Sequence, residues 1–213
     1  MAIIAKGSGP TEQPEAGMHL ARCIKVIDLG TQTDEFQGRV KHSRKIWIQW
    51  ELIGSAMSGE YNPELKGKPF AMALSFTLSL HEKATLRKVL ESWRGRPFTK
   101  EEVASFDVST VLGAPAYLNI GPKQSGDKMR ISTVNPVPAA LKKNIGKSKN
   151  PMVTLSLDPG DFDRVAYDSL SPKIQEWVAS SPEFQRLMNS DPADDHGSAE
   201  YYPGNDPMDD AGF

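Results

Sequence analysis

The chain contains a single cysteine, Cys23, in 213 residues. That excludes an internal disulfide framework and a cysteine-built zinc site. Cys23 falls inside an apolar strand-like run, where a small buried hydrophobe is the expected role. No run of about 18 apolar residues occurs, so no membrane-spanning helix is expected. The short apolar start, MAIIA, lacks the length and cleavage pattern of a secretory signal, and a cytoplasmic protein is expected. The four histidines, His19, His42, His81 and His196, show no metal-ligand spacing among themselves. There is no Gly-rich phosphate loop after a strand, no HExxH, and no serine in a nucleophile-elbow context. No catalytic residue, metal or cofactor is assigned. The expectation is a protein that is not an enzyme.

Lys and Arg are missing altogether from residues 191–213, which hold seven acids, three prolines and three glycines. Such a segment cannot build a core and is expected to be disordered. The imbalance extends further. Residues 1–150 carry 22 Lys and Arg against 14 Asp and Glu, whereas residues 151–213 carry 3 against 13. A basic body with an acidic tail points to a nucleic-acid partner.

What is present is dominated by period-two alternation, the pattern of half-buried strands. Residues 1–16 read as a flexible arm. A first strand is expected over Met18–Leu29 and a second over Val40–Ile53, joined by a polar loop at Gly30–Arg39. On the second strand, Ile46, Ile48, Trp50 and Leu52 share one face. Lys45, Trp47, Gln49 and Glu51 share the other, which is expected to be open. Pro69–Leu80 is the cleanest alternating run. The period then changes: Leu86, Val89, Leu90 and Trp93 recur at helical spacing over His81–Trp93, with Ser79 and Glu82 as its expected capping box. Thr99 and Glu102 predict a second capping box, and Val108–Leu112 a further helical turn ended by Gly113. Ala114–Pro122 and Met129–Val137 read as a hairpin pair. On the latter, Met129, Ile131 and Thr133 are expected opposite Arg130, Ser132 and Val134.

The order is three strands, a helical insertion, then two strands. That is the arrangement of a five-stranded OB-fold barrel with its helix between strands 3 and 4, so the expected class is mainly β. The OB domain is expected over residues 17–140. A basic linker and C-terminal helices follow over 141–190, with Ser171 and Pro172 starting one helix and Ser181-Pro182 another.

Single-stranded nucleic acid is held by a basic groove and by aromatic side chains on which bases stack. The candidate DNA contacts are Trp47 and Tyr117 for stacking, with Lys41, Arg44, Lys45, Arg22, Lys128 and Arg130 around them. Arg94 and Arg96, which follow the helix in Trp93-Arg94-Gly95-Arg96, suit phosphate. Lys142, Lys143, Lys147 and Lys149 form either a solvated linker or a track along the backbone. At the far end, Asp209 and Asp210 precede Phe213. An apolar side chain beside a free carboxylate suits a partner pocket rimmed by Lys or Arg, so this tip is the candidate partner-binding tail.

The acidic tail ending in Phe resembles the tails of bacterial and phage single-stranded DNA-binding proteins. The stretches GMHLARCIKVIDLGTQ, HEKATLRKVLESWRGRPFT and NIGPKQSGDKMRISTVNPVPA resemble a family of such proteins from tailed phages, over roughly residues 15–140. The resemblance implies an OB-fold and sequence-tolerant binding of single-stranded DNA in phage replication, recombination or repair. It also implies a host-cell cytoplasmic location and a tail that recruits replication or recombination proteins. The tip departs from the bacterial pattern, which has Pro before Phe after an Ile; here Asp209-Asp210-Ala211-Gly212-Phe213 stands instead. A protein-interaction adaptor on the same barrel is the alternative expectation.

Overall fold

β1, Gly17–Phe36, is the strand on which the other elements are assembled in this computed structural model. The structure describes residues 11–36, 38–126, 128–142 and 145–189. Along one edge β1 pairs antiparallel with β2, Arg39–Ala56. Its other edge is shared. β4, Pro115–Pro122, runs antiparallel to residues 17–22, and β6, Val153–Leu155, runs parallel to Lys25–Ile27. β3, Pro69–Thr77, adds to β2, and β5, Met129–Asn135, adds to β4. The hydrogen-bonded order is therefore β3-β2-β1-β4-β5, with β6 beside β1. The protein is mainly β, with one open sheet and a few helices.

Two register shifts explain why simple alternation fails along β1. Ile24 and Leu29 are extra residues against β2. A bulge of this kind switches the face that subsequent side chains use. Ala21 and Cys23 point into a first apolar cluster, but beyond Ile24 it is Val26 that does so, while Ile27 and Leu29 enter a second cluster on the opposite face. Cys23 is fully buried in the first cluster, and burial pushes its thiol up to about 12. A bulge at Ser132 corrects the expected face of β5 in the same way. Ile120 pairs with Ile131 and Asn119 with Thr133, so Ile131 and Val134 are buried and Thr133 is exposed.

The first cluster lies between one face of the sheet and α1. Ile46, Ile48, Trp50 and Leu52 of β2 meet Leu86, Leu90 and Trp93 of α1, Thr85–Arg94. Trp50 and Trp93 stack tilted at 5.4 Å, and Trp93 Nε1 donates to the Pro115 carbonyl at 2.8 Å. The expected start of this helix is corrected. Ala84 is its N-cap with no side-chain bond, and Ser79 instead caps a turn by accepting from the His81 N–H. The Thr99–Glu102 capping box forms as expected at α2, Lys100–Ser105. The expected loop at 30–39 is also corrected: β1 and β2 continue as paired strands out to Phe36 and Arg39.

After a short α3, Ala139–Lys142, the chain crosses to the outer face of β1 and β2. There α4 (Arg164–Asp168), α5 (Pro172–Ala179) and α6 (Pro182–Asn189) build the second cluster, with Leu157, Leu170, Ile174, Val178 and Phe184 on Ile27 and Leu29. Gly30 allows the closest approach. Its φ is +66°, and a Cβ there would lie 2.4 Å from the Ser181 Cβ. The described part of the N-terminal arm is also tied down. Glu12 accepts from the Ser58 and Gly59 N–H groups, and Gln13 from the Met129 N–H. No helix among the described residues is long and apolar enough to cross a membrane.

Candidate nucleic-acid interface

The C-terminal segment decides which cations on the sheet face solvent. Arg22 donates to the Gly113 carbonyl at 2.7 Å and to the Gly146 carbonyl at 3.1 Å, fastening the start of that segment to β1. Arg44 bonds to the buried Asp28 carboxylate and reaches Asp158 at 2.8 Å. The Asp28 bond raises the pKa of Arg44; burial opposes this and Asp158 adds to it. Glu51 is 1% exposed, yet its carboxylate accepts from the Lys149 N–H (2.7 Å), the Asn150 N–H (2.8 Å) and the Asn150 side chain (2.7 Å). A buried carboxylate persists only with such partners.

The expected open face around Trp47 is therefore corrected. Trp47 is half-buried and packs against the second cluster, because residues 145–189 cover that side of β2. Arg94, half-buried, and Arg96, exposed, are likewise engaged within the chain. Both bond to Glu102, and the Arg94 guanidinium lies 4.2 Å from the centre of the Phe98 ring. Arg96, then the Thr99 N–H, then Arg94 lower the Glu102 carboxyl to about 2. Tyr117 points outward from β4, half-buried, opposite Leu20 and Asn135. Lys128 and Arg130 are exposed at the β4–β5 hairpin. Asp209, Asp210, Phe213 and Lys143 lie outside the described residues, as does the whole of the tail at 191–213.

Lys41 and Lys45 meet a third lysine, Lys83, from the turn before α1. The projecting ends of β1 and β2, the outer edge of β3, the start of α1 and β5 together line a groove of about 700 Å³. Lys41, Lys45 and Lys83 stand in it against one acid, Asp34, which pairs with Lys45 at 2.6 Å. Lys41 and Lys83 are exposed and have no ion-pair partner among the described residues. Ser75, Thr77, Ser79 and Ser132 supply hydroxyls, and Leu74, Val89 and Ile131 an apolar floor. The groove lies where β3 and β5 approach each other without a described ladder between them. Lys83 could have been found only by knowing that α1 packs under both strands, a contact between distant parts of the chain.

A lysine-lined trough with hydroxyl groups and apolar side chains can hold an extended polyanion and the flat groups attached to it. Among the described residues, no group of three or more His, Cys, Asp or Glu side chains is placed to hold a metal ion. No protein-family model matches the chain, and no curated protein matches it at a significant level.

Proposed function

We propose that this protein binds single-stranded DNA without strong sequence preference, with the strand lying in the lysine groove between β3 and β5. The observation that carries this reading is the groove's charge: three lysines against one aspartate, with Lys41 and Lys83 unpaired among the described residues. Phosphates would lie against Lys41, Lys45 and Lys83, with the hydroxyls of β3 and β5 as secondary donors. Phosphate contacts position a strand and make binding fall as salt rises. The proposal keeps Lys41 and Lys45 as contacts and adds Lys83. Arg22, Arg44, Arg94 and Arg96 become fold clamps, because each spends its donors on carbonyls or carboxylates of this chain. Lys128, Arg130 and Tyr117 lie along the flank of a strand that continues past β5.

The finer fold proposed is an OB barrel, closed at the β3–β5 seam. The strand order and the helix between β3 and β4 support it. The resemblance to tailed-phage single-stranded DNA-binding proteins supports a place in phage DNA replication, recombination or repair. In that setting Asp209, Asp210 and Phe213 recruit replication or recombination proteins.

Titration with single- and double-stranded oligonucleotides over a salt series, read by anisotropy of labelled DNA, tests the reading. Single strands should bind more tightly, with affinity falling as salt rises, and Lys41→Ala with Lys83→Ala should weaken binding, most strongly at low salt. Absence of binding at low salt, or full affinity in the double variant, would remove the groove from the assignment.

A further inference from the structure

A smaller cavity of about 220 Å³ opens beside the groove and shares Asp34, Lys45 and Ser75 with it. Trp177 of α5 also lines it, together with Leu29, Gln32 and Thr33. Its rim is fixed. Gln32 Nε2 donates to the carbonyl of Leu29 at 2.7 Å and to that of Trp177 at 2.8 Å, tying β1 to the end of α5. Trp177 is half-buried, with Lys173 Nζ 5.2 Å from its ring centre.

Unpaired bases are recognised by stacking on aromatic rings and by hydrogen bonds to their Watson–Crick edges. The polar pair offered here is a cation beside a carboxylate, Lys45 and Asp34, 2.6 Å apart. Of the four bases, only guanine presents on that edge one acceptor followed by two donors. Its N1–H and N2–H suit the two-pronged acceptor of a carboxylate, as a guanidinium does. Its O6 then falls toward the lysine. Thymine has one donor between two acceptors and would set a carbonyl against Asp34.

We propose that this cavity takes one unpaired guanine, stacked on Trp177, with Asp34 accepting from N1–H and N2–H and Lys45 donating to O6. The inference rests on the reading that single-stranded DNA lies in the adjoining groove. It gives an otherwise sequence-tolerant protein one position with a base preference.

The test uses the full chain and two labelled oligonucleotides, oligo-dT and the same length with a single central dG, at equal salt. The guanine-containing strand should bind about tenfold more tightly. Asp34→Asn should abolish that advantage while oligo-dT binding strengthens, because the groove loses its one acid and Lys45 its internal partner. Asp34 is exposed, so this variant should fold. Trp177→Leu should reduce the advantage and Trp177→Phe retain it. Equal affinity of the parent for both strands, with normal salt dependence, would overturn the guanine site and leave the groove standing. A guanine advantage that survives Asp34→Asn would also overturn it. Binding to neither strand would overturn both.

Discussion

One pair of strands, β1 and β2, carries two contrasting regions. Arg22, Arg44 and Glu51 each hold a piece of the C-terminal segment against the sheet. Lys41 and Lys45, which flank Arg44 along β2, stand instead in the groove with Lys83. The residue types divide in the same way. The planar, multi-donor arginines serve as clamps, and the single-point lysines face solvent. A count of positive charge cannot separate these uses; only the partners of each group can.

Substitutions on the two sides should therefore fail differently. Glu51→Ala should have the largest effect, about 3 kcal/mol of lost stability, because three part-buried donors lose a charged acceptor. Urea unfolding measures it, and a loss below about 1 kcal/mol would mean that residues 149–150 do not lock the segment down. Gly30→Ala comes next, at about 2 kcal/mol, since the left-handed backbone and the approach of Ser181 both oppose a Cβ. Neither variant should alter the salt dependence of DNA binding under conditions where it remains folded.

In the open region the effects reverse. Removing Lys41 and Lys83 should leave stability nearly unchanged. It should flatten the slope of log affinity against log salt by about 0.7 per lysine. Arg96→Ala is the control from the clamped set, with its partner Glu102 and an unchanged slope. The smallest effect concerns acid. Glu102 sits at about 2 against 4.5 for an ordinary glutamate, so its contribution is complete above pH 4.5 and is lost as pH falls toward 2. Glu102→Gln should make stability fall less steeply across that window. An identical acid limb in both proteins would show that the Arg96 and Arg94 bonds do not persist in solution.

Much of this fold is legible in the residues themselves. Alternation marked the five antiparallel strands, and Thr99 with Glu102 marked the α2 cap, because those signals are local. The bulges at Ile24, Leu29 and Ser132 were invisible, since each depends on how a partner strand is registered. β6 was missed because a three-residue strand carries no period of its own. The candidate site was half legible. Lys41 and Lys45 were picked for their neighbourhood, while Trp47 was misplaced because nothing local says that a segment one hundred residues later will cover it. Lys83 and Trp177 join the site only through tertiary packing.

The second edge of β1 has a consequence for how the chain is made. Val153–Leu155 must arrive to complete that edge, and α5 and α6 must follow to cover Ile27, Leu29 and Trp47. On a ribosome, β1, β2 and β3 emerge long before those residues do. In the interval the nascent sheet exposes an unpaired edge beside an apolar face, the combination that seeds aggregation. Chains ending near residue 150 should accumulate as insoluble material or bound to chaperones, whereas chains reaching Asn189 should be released folded.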